Sequence, residues 1–242
     1  MDENTREILE HKGSHVKNMF DRIAGWYDFL NHFLSLGTDR RWRKKLIRPL
    51  QLSQDDHVLD MATGTGDLAI TLVKKTGCRV TGMDVSEKMM AVGRKKTERK
   101  NLSERIVFVS GAAEEIPFQA GTFDAATVAF GVRNFTSLER GLEEMLRVLK
   151  PGGSLAVLEF SKPAKQPLKG MYSFYLFRVL PLAGKIFSGD KYAYSYLPAS
   201  IKAFPQRESF LDILKRCGYE TVYYKTYTGG IVAAYYGKKP VK

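Results

Sequence analysis

Two glycines stand between two carboxylates in VLDMATGTGDLA (residues 58–69), where Asp60 and Asp67 flank Gly64 and Gly66, and Asp84 follows further along. Glycines at a strand-to-helix turn let a ligand approach backbone N–H groups at the carboxyl edge of a parallel sheet. Residues 64–69 also fit the dinucleotide pattern GxGxxG/A, a match that is weak by itself. A pyrophosphate wants bare N–H groups at a helix N-terminus and no anion beside them. Carboxylates on both sides of this turn would repel it, whereas they would attract an ammonium or a sulfonium. S-adenosylmethionine has both cations and no phosphate. Asp84, ending the next strand, is then placed to take two ribose hydroxyls.

Two later loops extend the set. GAAEEIPF (111–118) offers small side chains and backbone N–H groups at Ala112 and Ala113, where an adenine could lie, followed by Glu114. FDAATVAFGVRN (123–134) runs from a strand into Arg133 and Asn134, polar residues at a carboxyl end that faces the substrate cleft in such sheets.

The elements that must carry these residues alternate. Apolar strands are expected at 57–61, 79–84, 105–111, 123–131 and 154–161. Helices are expected after the glycine turn, at 86–100 with Ser86 as N-cap, and at 138–150, stopped by Pro151-Gly152-Gly153. A helix at about 205–216 and strands at 219–227 and 230–238 close the chain as an antiparallel hairpin. The pattern predicts an α/β fold with a doubly wound, mostly parallel sheet, the class I methyltransferase architecture. One domain is expected over 1–242: a helical N-terminal segment (1–50), a cofactor-binding core (51–162), an apolar and basic insertion (163–200) and the closing helix and hairpin (201–242).

The chain has 242 residues and a formal charge of +12. Its length suffices for a sizeable core without disulfide or metal staples. Cys78 and Cys217 stand alone, so a disulfide framework or zinc site is not expected, and no metal is. The polar, acidic N-terminus does not read as a signal peptide, which predicts an intracellular protein. The positive charge is clustered. Arg40, Arg41, Arg43, Lys44, Lys45 and Arg48 occur without an acid among them, and Lys162–Lys191 holds six bases against Asp190. Nucleic acid, an anionic membrane face and a solvated surface each fit such an excess.

RVLKPGGSLAVLEFS (147–161) and YDFLNHFLSLGTDRRW (27–42) resemble the two signatures of the quinone-biosynthesis C-methyltransferases, and the resemblance spans nearly the whole chain. The first-occurring signature departs at Leu30, where Met is usual, and at Asp39, where His is usual. The resemblance implies methylation of demethylmenaquinol and, in some organisms, of the benzoquinol precursor of ubiquinone. It implies cofactor contacts at Thr65, Asp84 and the Ala112-Ala113 backbone, and at Ala129 a cofactor-side position whose usual Ser hydroxyl is absent. It also implies that the helical N-terminal segment (1–50) is a site cover, with Tyr27, Asp28 and Asn31 on a helix covering the site.

Methyl transfer to an aromatic carbon needs an electron-rich ring, so the acceptor must be the reduced quinol, with a hydroxyl beside the target carbon losing its proton. The site must align the reacting atoms and stabilise a developing phenolate. Arg133 is the first expected phenolate partner, with Asn134 beside it and Tyr27 secondary. A guanidinium is not itself a base. His57 reads as structural, and His32 as a weaker choice of base. Residues 168–187 are apolar, but Arg178, Pro181 and Lys185 interrupt them, which argues against a membrane span and leaves a lid helix or a prenyl-tail groove. An RNA methyltransferase lacks support, since neither an NPPY-type motif nor a Pro-Cys nucleophile is present. A noncatalytic scaffold would not require the Gly64, Gly66 and Asp84 set. The expected partners are a polyprenyl quinol and the anionic inner face of a membrane, met from the cytoplasm.

Overall fold

The structure is a computed structural model describing residues 12–25, 35, 37–163, 166–167, 170, 172 and 191–241. Strands β1 (His57–Met61), β2 (Arg79–Asp84), β3 (Ile106–Ser110), β4 (Phe123–Ala129) and β5 (Leu149–Phe160) run parallel. The sheet order is β3-β2-β1-β4-β5-β7-β6, with β6 (Glu220–Tyr227) and β7 (Val232–Lys238) antiparallel at one edge. The expected doubly wound sheet and closing hairpin are therefore both present. Strand order reverses between β1 and β4, and a crevice at the carboxyl ends opens where it does.

Helices cover both faces. On one, α2 (Asp39–Ile47) and α3 (Asp67–Thr76) bury Trp42, Leu46, Leu68 and Leu72 against Val58, Val80 and Ala125. On the other, α5 (Leu138–Val148) and α7 (Glu208–Arg216) bury Leu142, Met145, Phe210 and Leu214 against Leu59, Phe123 and Tyr235. Val58 and Leu59 go to opposite faces because successive strand side chains alternate. Helix α4 (Glu87–Glu98) follows β2, its first turn capped by the Ser86 hydroxyl, which accepts from Met89 N–H at 3.2 Å. Helices α1 (Lys12–Ile23) and α6 (Lys191–Ala203) approach the carboxyl edge of the sheet.

Several expected boundaries move. Helix α5 ends at Val148, and β5 begins before Pro151-Gly152-Gly153. Those residues form an irregularity inside the strand, where the pairing with β4 shifts register between Phe123 and Ala125. Gly152 takes a positive φ of 76° there, and residues 152 and 153 exchange backbone hydrogen bonds with Lys239. Helix α7 starts at Glu208, later than the sequence suggests, after Arg207 at a positive φ of 57°.

Candidate active site

A cavity of about 330 Å³ opens at the carboxyl ends of β1, β2, β3 and β4. Met61, Ala62 and Gly64 form its floor after β1, and Asp84 and Val85 line it after β2. Gly111, Ala112, Ala113 and Glu114 follow β3, and Ala129 to Gly131 and Asn134 follow β4. Val16, Lys17 and Phe20 of α1 close it from outside the sheet. Asp84 and Ala129 end strands two positions apart in the sheet, hence about 10 Å from each other. That span separates the Asp84 end of the cavity from the end that β4 provides.

Local backbone geometry shapes the Asp84 end. Gly64 has φ of 54° and Gly66 has φ of 76°, and a Cβ on Gly64 would sit 3.2 Å from the Met89 methyl. Glycine keeps the turn in this conformation at no steric penalty. Gly64 N–H donates to Asp84 Oδ2 and Ser86 N–H to Asp84 Oδ1, each at 2.8 Å. Each carboxylate oxygen retains acceptor capacity, so the pair fits a vicinal diol. Burial raises the Asp84 pKa, with the backbone N–H groups opposing it. Ala112 and Ala113 leave room for a flat ring, and Glu114 Oε1 accepts from Ser137 N–H at 3.0 Å.

The acids expected to make the glycine turn attractive to cations are engaged elsewhere. Asp60 is 1% exposed and does not line the cavity; the strand pleat puts it on the α3 face with Val58. Its carboxylate accepts from Thr63 Oγ1 at 2.7 Å and Thr127 Oγ1 at 2.8 Å. Burial pushes its pKa up to about 6 against those hydrogen bonds and the nearby Arg43. Asp67 pairs with Lys96, and with Arg43 at 3.5 Å. Thr65 lies beneath the turn, its hydroxyl accepting from Lys96 Nζ at 3.2 Å, and Gly66 likewise supports the turn from behind the wall. The described walls nevertheless carry two carboxylates, Asp84 and Glu114, against one ammonium, Lys17. The balance suits a cationic ligand, through different acids from those the sequence suggested.

At the β4 end, Arg133 and Asn134 part company. Both belong to the 3₁₀ turn Val132–Asn134, in which successive side chains diverge by about 120°. Asn134 lines the cavity. Arg133 does not: it is 8% exposed, and its guanidinium pairs with Glu159 at 2.8 Å and donates to Phe130 O and Ser200 Oγ. Arg133, expected as the phenolate partner directly or through water, instead forms a buried bracket between β5, the turn and α6 and does not line the cavity. Burial pushes the Glu159 carboxyl upward against the pull of Arg133. Tyr27, Asp28, Asn31 and His32 lie outside the described residues, as does the insertion 168–187 apart from Gly170 and Tyr172. Asp39 is buried against Arg43 and accepts from Ser35 Oγ at 2.9 Å. His57 shares a hydrogen bond with Thr81 at 2.9 Å, and burial lowers its pKa, in keeping with a structural part. Among the described residues no group of His, Cys, Asp and Glu could hold a metal ion.

A profile of the ubiE/COQ5 methyltransferase family matches residues 8–239. The chain belongs to that family. It is 44% identical over 236 residues to the ubiquinone/menaquinone biosynthesis C-methyltransferase UbiE of Geobacter sulfurreducens, covering 97% of this chain and 92% of the relative. It is 46% identical over 229 residues to the demethylmenaquinone methyltransferase of Bacteroides fragilis, covering 94% of each. Among solved structures, the fold is similar to that of the cyclase SpnF, with a TM-score of 0.69, 18% identity and coverage of 94% and 96%. It is also similar to an S-adenosylmethionine-dependent methyltransferase of Thermotoga maritima, a possible histamine N-methyltransferase, with a TM-score of 0.65, 20% identity and coverage of 92% and 99%. The fold is thus the class I methyltransferase fold.

Several residues of this ubiE/COQ5-type site carry no signal that spacing alone reveals. Lys17 and Phe20 come from a helix far from the glycine turn, and Met89 reaches the cavity from the first turn of α4. Tyr196, in the Tyr-rich stretch before Phe204, donates its hydroxyl to Asn134 Oδ1 at 2.9 Å. Glu159 falls within the second signature, and only the fold pairs it with Arg133.

Proposed function

We propose that this methyltransferase moves the sulfonium methyl of S-adenosylmethionine to a ring carbon of a prenylated quinol, turning demethylmenaquinol into menaquinol. The benzoquinol precursor of ubiquinone is the alternative acceptor. The observation that carries the reading is the cavity of a ubiE/COQ5 family chain, with a diol-binding carboxylate at one end and an amide, Asn134, at the other. S-adenosylmethionine, when bound, supplies an electrophilic methyl group. Asp84 would hold its ribose, the Gly64 turn would admit its backbone-facing side, and Ala112 and Ala113 would flank its adenine. Ala129 adds no hydroxyl there. The cover residues Val16 and Phe20 exclude water, which strengthens every polar contact inside. Asn134 offers the acceptor end a hydrogen-bonding group, and Tyr27 is proposed as a second group there.

The enzyme is proposed to meet its lipid acceptor from the cytoplasm at the inner membrane face. In support, α2 buries Trp42, Leu46 and Ile47 while exposing Arg40, Arg41, Lys44 and Lys45, with exposed Arg48 just beyond. Each such cation contributes about 1 kcal/mol near an anionic surface. Among the described residues no helix is long and apolar enough to cross a membrane.

The test is an anaerobic assay with S-adenosylmethionine and reduced demethylmenaquinol, following the mass of the product ring. A strain lacking the gene should accumulate the demethyl quinone; an unchanged quinone profile removes the reading. Failure of saturating S-adenosylmethionine to raise the melting temperature would favour a noncatalytic scaffold. Binding to vesicles rich in phosphatidylglycerol should weaken as salt rises. Equal binding to neutral vesicles, or tighter binding to RNA, would refute the membrane assignment.

A further inference from the structure

The Tyr196 side chain is 1% exposed, and its ring packs with Val16 and Met19 of α1, with Phe20 alongside. Its hydroxyl donates to Asn134 Oδ1 at 2.9 Å. One helical turn further along α6, Ser200 Oγ accepts from Arg133 Nε at 3.3 Å. Helix α6 therefore grips two consecutive residues of the turn that follows β4, and α1 packs behind the grip. This arrangement lies outside the glycine turn and the ribose carboxylate.

An Asn amide has an acceptor end and a donor end. With Oδ1 engaged by a buried hydroxyl, the Nδ2 end is the one directed away from Tyr196. We propose that Tyr196 is a positioning residue that orients the Asn134 amide so that Nδ2–H meets the acceptor oxygen beside the methylated carbon. The inference rests on the quinol reading above. As the acceptor hydroxyl loses its proton, negative charge grows on that oxygen, and a donor already aimed at it stabilises the charge without reorganisation. An amide turned the other way would present Oδ1 and repel it. The cationic partner expected from sequence, Arg133, is committed to Glu159, so a neutral donor takes that place and Arg133 stiffens the turn.

The test is a double-mutant cycle of Tyr196→Phe and Asn134→Ala on the full chain. Phe keeps the ring against Val16 and Met19 and removes only the hydroxyl. Deleting an oxyanion donor outright typically lowers kcat by about 100-fold to 1,000-fold. Tyr196→Phe, which only frees the amide to turn, is expected to lower kcat about tenfold, with the S-adenosylmethionine Kd unchanged. Both single variants should move the pH profile of kcat to higher pH, because a less stabilised phenolate forms at higher pH. In the Asn134→Ala background, Tyr196→Phe should have no further effect.

A loss at Tyr196 that multiplies with the loss at Asn134, or a pH profile that stays in place, overturns the proposal and leaves a packing role. Asn134→Asp supplies a check that does not depend on Tyr196 folding: it keeps an acceptor for the Tyr hydroxyl and removes the donor. Wild-type turnover in Asn134→Asp refutes the donor role. Failure of the wild-type enzyme to methylate the reduced quinol would instead refute the substrate reading.

Discussion

The wall of the cavity formed by β1, β2 and β3 is held by backbone, whereas the wall formed by α1 and the 132–134 turn is held by side chains from distant parts of the chain, those of α6 among them. At the first, Asp84 is oriented by the N–H groups of Gly64 and Ser86, both set by βα turns. At the second, Arg133 needs Glu159 and Ser200, and Asn134 needs Tyr196. A turn can specify a cofactor site from a short run of residues. An acceptor site that must differ between substrates draws on contacts that no short run contains.

The largest expected effect tests whether the side-chain wall depends on its buried pair. Glu159→Ala leaves the Arg133 charge buried without its partner, which costs about 3–5 kcal/mol. At about 2–4 °C per kcal/mol for a domain of this size, the melting temperature should fall by about 6–20 °C in calorimetry. A fall under 2 °C would mean that the pair does not fasten this wall. Next comes the backbone wall: Asp84→Ala removes the carboxylate proposed to take two charge-assisted hydrogen bonds from the ribose, so cofactor affinity should drop by about 100-fold or more in calorimetric titration. Folding stability should change little by comparison. Equal cofactor losses in Asp84→Ala and Tyr196→Phe would abolish the distinction between the walls.

Asp60 sharpens the comparison from beneath the glycine turn. Its pKa is pushed up from 3.8 to about 6, so the folded protein binds this proton more tightly than the unfolded chain does. The group therefore favours folding most at low pH, and that advantage is lost as pH rises from about 4 to about 6. Above that range the buried charge leaves a penalty of a few kcal/mol. Asp60→Asn should flatten this part of the melting-temperature curve and raise stability at pH 7; parallel curves for variant and wild type would contradict the assignment. The smallest effect is expected at the α4 cap. Ser86→Ala removes the bond from Met89 N–H and the contact to Asp21 Oδ1, at a penalty of about 1 kcal/mol. If cofactor affinity falls along with stability, the cap also positions Asp84.

The parts legible in sequence share a physical origin. Strands β1 to β4 announce themselves by short apolar runs, and the Gly64 turn by glycines that must take positive φ. Asp84 is legible because it ends a strand at a fixed distance from that turn. Asp60 and Asp67 mislead because charge type is visible in a sequence and partners are not: the pleat turns Asp60 toward Thr63 and Thr127, and Lys96 neutralises Asp67. Arg133 misleads in the same way, since Glu159 comes beside it only through the pairing of β4 with β5. The Pro151-Gly152-Gly153 run reads as a helix stop, and its actual place inside β5 depends on Lys239, 86 residues after Gly153.

The sequence by itself determined the alternation of strand and helix, the glycine turn, the family and the clustering of positive charge, because each rests on neighbours along the chain. Only the tertiary structure decided which acids line the cavity, that Arg133 pairs with Glu159 instead of lining the cavity, and that Tyr196 bonds Asn134. Those outcomes depend on which long-range partner reaches a buried polar group first, and burial makes such a group bond with whichever partner the packing supplies.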